Sequence, residues 1–92
     1  MLSQDMNPVI VYTTDRCGSC ISVKKLLEKR GIVYQEVNLS RDPDGRAQLQ
    51  SLTGMFTFPQ VVVGDRALGG FNELFAADRE GRLADFLRDK AA

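Results

Sequence analysis

Between Val9 and Leu39 the hydrophobic period changes twice, and this constrains the fold more than any other feature of the chain. Val9-Ile10-Val11-Tyr12 is apolar on both faces, the pattern of a strand buried in the middle of a sheet. Residues 19–30 then take helical spacing, with Val23, Leu26, Leu27 and the Arg30 stem on one side and Cys20 at its edge. Lys24, Lys25, Glu28 and Lys29 take most of the remaining surface, and Gly31 stands where a helix ends. Val33, Val37 and Leu39 alternate with Tyr34, Glu36 and Asn38, as in a half-exposed strand. Strand, helix, strand in that order implies a parallel pair joined by a right-handed crossover.

Asp42-Pro43 supplies an N-cap followed by proline at the first helical position, and Ala47, Leu49 and Leu52 line the helix that Gly54 stops. Pro59 opens the run Val61-Val62-Val63, and Gly64-Asp65 turns the chain back through Arg66-Ala67-Leu68. Gly69-Gly70 precedes a short helix bearing Leu74 and Phe75. Gly81 separates it from a last helix with Leu83, Phe86 and Leu87 inward. The expected order is β-α-β-α-β-β-α-α. Ninety-two residues leave room for one core, so residues 1–92 are read as a single domain, with residues 1–7 a disordered leader.

Composition removes several function classes. Without histidine there are no Ser-His-Asp triads, no Cys-His pairs and no imidazole zinc sites. Twelve basic and twelve acidic residues cancel, so no global field draws in nucleic acid or anionic lipid. The longest aliphatic stretches are far short of the ~20 residues that span a bilayer, and the first residues lack the basic and apolar regions of a secretory signal. The expected compartment is cytoplasmic.

The two cysteines stand three apart in Cys17-Gly18-Ser19-Cys20, at the corner where the buried strand gives way to the helix. That corner presents the unpaired N–H groups and positive dipole end of the helix, a setting that brings cysteine pKa values to about 3.5–7.5. Arg16 adds a fixed positive charge, and Lys24, two turns along, a weaker one. Cys20 is close enough to form a disulfide with Cys17. Exposure assigns Cys17 as the attacking thiolate and Cys20 as the more buried resolving thiol. A zinc knuckle needs four ligands, and the chain has neither a second cysteine pair nor a histidine. Inert core cysteines would rarely fall together at such a corner. Lys25, Lys29 and Arg30 are cations near a helix C-terminus on a solvated face.

With these residues in place, the chain resembles a glutaredoxin, within the thioredoxin superfamily, from Val9 to Leu87 in element order. Three blocks carry the resemblance: Tyr12-Thr13-Thr14-Asp15-Arg16-Cys17-Gly18-Ser19-Cys20, Thr57-Phe58-Pro59-Gln60, and Leu68-Gly69-Gly70-Phe71-Asn72-Glu73-Leu74. It implies an α/β thioredoxin-like fold, a four-stranded mixed sheet with helices on both faces. It also implies a cis Pro59 facing the cysteine pair. Phe58, where relatives usually carry an aliphatic residue, would offer its backbone to the cysteinyl part of glutathione as an added strand does. The two glycines would allow close backbone approach, and the following helix N-terminus would receive the γ-glutamyl carboxylate at Phe71 and Asn72. The implied glutathione-binding residues are Arg16, Thr57, Phe58, Pro59, Gly70, Phe71 and Asn72. Taken alone, Gly69-Gly70 is also an ordinary strand-to-helix turn.

Some features depart from the family pattern. Many members carry Lys or Arg three residues before the first cysteine, pairing with the glycine carboxylate of glutathione; here that residue is Thr14, with Arg16 or Lys24 as substitutes. Thr13-Thr14 and Cys-Gly-Ser-Cys are also similar to mycoredoxins, which use another small thiol but lack a comparable Gly-Gly block. Gly18 is shared with members that hold a [2Fe–2S] cluster between two protomers, where Cys17 of each would be a ligand. The resemblance therefore implies a monomeric dithiol thiol–disulfide oxidoreductase with no tightly bound cofactor. Its partners would be glutathione or a similar small thiol and disulfide-containing proteins, with nucleic acid and membranes excluded. The alternatives are electron supply by thioredoxin reductase or mycothiol, and a cluster-binding dimer. Met55, Phe56 and Phe58 serve either as an apolar docking patch or as core.

Overall fold

The computed structural model describes residues 8–88; the leader expected at residues 1–7 lies outside them. The elements are β1 (Val9–Thr13), α1 (Gly18–Lys29), β2 (Tyr34–Asn38), α2 (Pro43–Thr53), β3 (Gln60–Val63), β4 (Arg66–Gly69), α3 (Phe71–Arg79) and α4 (Leu83–Leu87). The sheet order is β2-β1-β3-β4, with β1 parallel to β2 and antiparallel to β3, and β3 antiparallel to β4. This is the expected mixed sheet.

Each helix begins and ends for a local reason. Cys17 caps α1, its Sγ accepting the Cys20 N–H, and Gly31 at φ 72° lets the chain leave while the Ile32 N–H returns to the Leu27 carbonyl. Asp42 caps α2 by accepting the Gly45 N–H at 2.9 Å, Pro43 occupies the first turn, and Gly54 closes the helix at φ 73°. In the larger core, α1, α3 and α4 cover one face of the sheet, through Val23, Leu27, Leu74 and Leu87 over Val11 and Val61. On the other face Leu49 of α2 packs with Leu39 and Val62, flanked by Tyr12 and Phe58. Both central strands, β1 and β3, are thus covered on both faces, which fixes the positions of the loops at their ends.

The apolar positions of β2 and α2 depart from the sequence expectation. Val33 is 88% exposed and Val37 sits at the surface, whereas Tyr34 from the opposite set packs against the larger core. β2 is an edge strand paired only with β1, and Tyr34 faces α1, its hydroxyl donating to Glu28 Oε2 at 2.6 Å. The α2 stripe likewise narrows to Leu49, with Ala47 and Leu52 exposed.

Candidate active site

The site is assembled where β1 runs out into α1. The turn between them is clasped by polar side chains of the β2–α2 segment. The Asp15 N–H donates to Ser40 Oγ at 2.6 Å, and Asn38 Nδ2 donates to Asp15 Oδ1 at 3.0 Å. Arg16 completes the turn at φ 56°, a left-handed conformation uncommon for a side-chain-bearing residue. Cys17 follows as the N-cap and forms a disulfide with Cys20, the Cα atoms 5.2 Å apart.

The two sulfurs have unlike surroundings. Cys17 is half-buried at the mouth of the site, and the Cys20 N–H points at its Sγ from 3.0 Å. A backbone donor at a helix N-terminus favours negative charge on that sulfur once the bond is reduced. Cys20 is 2% exposed, on the inward stripe that continues through Val23 and Leu27. The Phe58 carbonyl oxygen stands 3.7 Å from Cys17 Sγ, and the Phe58–Pro59 peptide is cis.

Beside Ser19, which stands between the two cysteines, is a groove of about 550 Å³ between the residue 53–60 segment and the start of α3; neither cysteine is among its lining residues. Thr57, Phe58, Pro59, Gly70, Phe71 and Asn72 all line it; Arg16 does not. Its floor is set by contact between two backbones, because a Cβ on Gly70 would collide with the Pro59 carbonyl oxygen. Glu73 reaches back to accept the Gly70 N–H at 2.8 Å, and Phe71 lies against Phe75 with ring centroids 4.4 Å apart. The 55–58 segment divides: Phe58 joins the smaller core, whereas Met55 and Phe56 stay exposed.

Two supporting features were not assigned from the sequence. Gln60, 2% exposed, donates through Nε2 to the Thr57 carbonyl at 3.0 Å and Oγ1 at 3.1 Å, pinning the residue that leads into Phe58-Pro59. Among the described residues its Oε1 is the one buried side-chain polar atom without a partner. A second network lies beside the site: the buried Thr13 hydroxyl donates to Glu36 Oε2 at 2.7 Å, and Lys24 Nζ reaches both Glu36 oxygens at 3.0 and 3.1 Å. The Thr13 hydrogen bond first, then Lys24, holds the Glu36 carboxyl below its ordinary value. Lys24, expected to add a weak charge near Cys17, is thus paired with the carboxylate on β2. The threonine–glutamate pairing joins residues 23 apart, and helical or strand periodicity carries no signal for it.

Among the described residues no group of three or more His, Cys, Asp or Glu is placed to hold a metal ion, and no helix is long and apolar enough to cross a membrane.

The glutaredoxin family model matches residues 9–68. A glutaredoxin of Pseudomonas aeruginosa is 40% identical over 78 residues, covering 85% of this chain and 93% of its own. One from Solanum lycopersicum is 38% identical over 89 residues, covering 94% of this chain and 82% of its own. Among solved structures, the glutaredoxin of Brucella melitensis is similar with a TM-score of 0.80 at 35% identity, covering 96% of both chains. A buckwheat glutaredoxin–glutathione complex matches with a TM-score of 0.78 at 36% identity, covering 88% of this chain and 76% of that one. Matching elements, a paired Cys17 and Cys20 and a cis-proline loop beside them meet these similarities on the same residues: the chain belongs to the glutaredoxin family.

Proposed function

We propose that this protein reduces protein disulfides and protein–glutathione mixed disulfides by dithiol exchange, with Cys17 as nucleophile, Cys20 as resolving thiol and glutathione as electron donor. The observation that carries the assignment is the asymmetry of the pair: Cys17 sits half-buried at a helix N-cap with an N–H on its sulfur, and Cys20 lies beneath it, 2% exposed. Cys17 thiolate attacks one sulfur of the substrate disulfide; that S–S bond breaks, and the departing sulfur leaves as thiolate and takes a proton from water. Cys20, having given its proton to solvent, then attacks Cys17 Sγ and frees the second substrate thiol. Two electrons have passed to the substrate, and two glutathione thiols restore the pair.

Glutathione would lie along the groove. Its cysteinyl backbone pairs with Phe58 as an added strand, beside Thr57 and Pro59, and its γ-glutamyl carboxylate meets the free N–H groups of Phe71 and Asn72 next to Gly70. Arg16 contributes only long-range charge, since it stands outside the groove. The buckwheat complex supports glutathione as the small thiol. One chain offers a [2Fe–2S] cluster a single ligand, Cys17, because Cys20 is buried; such a cluster would need a second chain and two outside thiols. Exchange at the cysteines runs without it, in a monomer of one domain. We place the protein in the cytoplasm, where reduced thiols are maintained.

The test follows NADPH consumption with a small mixed disulfide in two parallel reactions, one with glutathione and glutathione reductase, the other with thioredoxin reductase alone. Turnover in the first supports the proposal. Turnover only in the second overturns glutathione as donor, and silence in both turns attention to a mycothiol-type donor or a cluster. Cys17→Ser should abolish turnover; retention of more than a few per cent would refute the nucleophile. Cys20→Ser should keep deglutathionylation, and loss of that activity would refute the one-thiol route.

A further inference from the structure

The two ends of the groove are chemically unlike. At the α3 end are backbone N–H groups suited to an anion. At the other, Met55 lines the wall and is 50% exposed, and its chain neighbour Phe56 is 77% exposed. Among the described residues no Lys or Arg lines the groove, and its one charged lining residue is the acidic Glu73. Lys24, the first lysine of α1, is engaged by Glu36, and three residues before Cys17 stands the neutral Thr14. With Arg16 outside the groove, nothing in its lining balances a carboxylate at this end, such as that of the glycine of glutathione or of an acidic side chain. It does present a phenyl ring and a thioether whose apolar surface faces water, and burying that surface is favourable.

We infer that Met55 and Phe56 are specificity determinants for a polypeptide disulfide whose half-cystine adjoins a large apolar residue, and that acidic neighbours are disfavoured. This rests on the oxidoreductase assignment and names its substrate class. The exchange is unchanged: Cys17 thiolate forms a disulfide with the polypeptide sulfur, the bond to the substrate's other sulfur breaks, and that sulfur departs as thiolate. The apolar neighbour acts only by holding the polypeptide sulfur at Cys17.

Two synthetic peptides, identical except for Leu or Glu beside their single cysteine, are each prepared as the mixed disulfide with 2-mercaptoethanol, a small neutral partner. Their kcat/KM is measured with glutathione and glutathione reductase, and each value is divided by the peptide's uncatalysed exchange rate with glutathione. The Leu peptide should be preferred by about tenfold, the effect of partly burying one large aliphatic side chain. In a Met55→Ser, Phe56→Ser double variant the preference should fall below twofold, and Phe56→Arg should raise relative turnover of the Glu peptide. A folding defect would slow both peptides alike and leave the ratio standing. A wild-type ratio below twofold, or a ratio that survives the double variant, overturns the inference while leaving the oxidoreductase assignment intact. Failure to turn over either peptide while a glutathione mixed disulfide is still reduced overturns the inference alone, and failure on all three overturns the oxidoreductase assignment as well.

Discussion

Replacing Gly70 by Ala probes the contact that shapes the groove. The new Cβ would fall onto the Pro59 carbonyl oxygen at a separation that real Cβ atoms do not adopt. That oxygen belongs to the backbone of a loop already tied down by Gln60, so it cannot swing aside as a side-chain tip would. Gly70 has φ −128°, so no left-handed backbone is involved and the expected penalty is reckoned from the clash. Overpacking of this kind costs about 1–3 kcal/mol. In a domain of this size each kcal/mol moves Tm by roughly 4–8 °C, giving an expected fall of roughly 4–24 °C. Relief of the clash moves α3 away from Phe58-Pro59, so KM for a glutathione mixed disulfide should rise along with the loss of stability. Thermal scans on wild type and variant, both held oxidised, and steady-state kinetics measure the two effects. Gly18→Ala is the comparison for stability: its Cβ meets nothing within 4 Å and joins the first turn of α1, so Tm should hold or rise. An unchanged Tm and an unchanged KM in Gly70→Ala would refute the steric account.

Glu36→Ala leaves the buried Thr13 hydroxyl without its acceptor and should cost about 1–3 kcal/mol in urea unfolding, whereas Glu36→Gln keeps an acceptor oxygen and should recover part of it. Because the folded Glu36 carboxyl lies below its ordinary value of 4.5, its contribution is complete above that pH and is lost as pH falls through the lowered value. The stability gap between wild type and Glu36→Gln should therefore narrow on acidification; a gap that stays constant into strong acid would contradict this. Burial first, then the hydrogen bond to Glu28, raises the Tyr34 phenol from 10.0 to about 12. Stability drawn from it is full below pH 10 and lost as pH climbs through about 12, and Tyr34→Phe should delete the late tyrosinate absorbance step. Asp42→Ala removes the cap on the Gly45 N–H and should lower stability by about 1 kcal/mol in urea unfolding.

How much of this was legible in the sequence depended on whether the deciding interaction was local. The β1–α1 corner could be read because a doubly apolar run, a helical period and Gly31 each fix backbone state within a few residues. The same holds for Asp42-Pro43 and Gly64-Asp65. The faces of β2 could not, because alternation shows that two faces exist but not which one a helix covers. Tyr34 turned inward toward α1 while Val33 and Val37 met solvent. Within the site, Thr57, Phe58, Pro59, Gly70, Phe71 and Asn72 were reached through family resemblance and do share one groove. Chain order alone would not have joined them to Cys17. Thr13–Glu36–Lys24 escaped because a buried hydroxyl and an edge-strand carboxylate become neighbours only through the parallel register that sets Val11 against Glu36 and Thr13 against Asn38.

The architecture also accounts for the division of labour proposed for two cysteines only three residues apart. Cys20 lies buried on the inward stripe of α1 with Val23 and Leu27, so its position is fixed by packing. Cys17 precedes the first full turn and belongs to the cap, where φ −115° and ψ 101° turn its side chain back over the helix end instead of along its side. Lengthening the spacing by one residue would leave Cys20 in phase with Val23 and Leu27 and carry the first cysteine about 100° around a 3.6-residue turn away from it. An insertion between Gly18 and Ser19 should therefore cost resolving activity by separating the two sulfurs, while Cys20 keeps its place on the buried stripe. If such an insertion still closed an intramolecular disulfide as readily as the wild type, the helical phase of α1 would not be what assigns the roles.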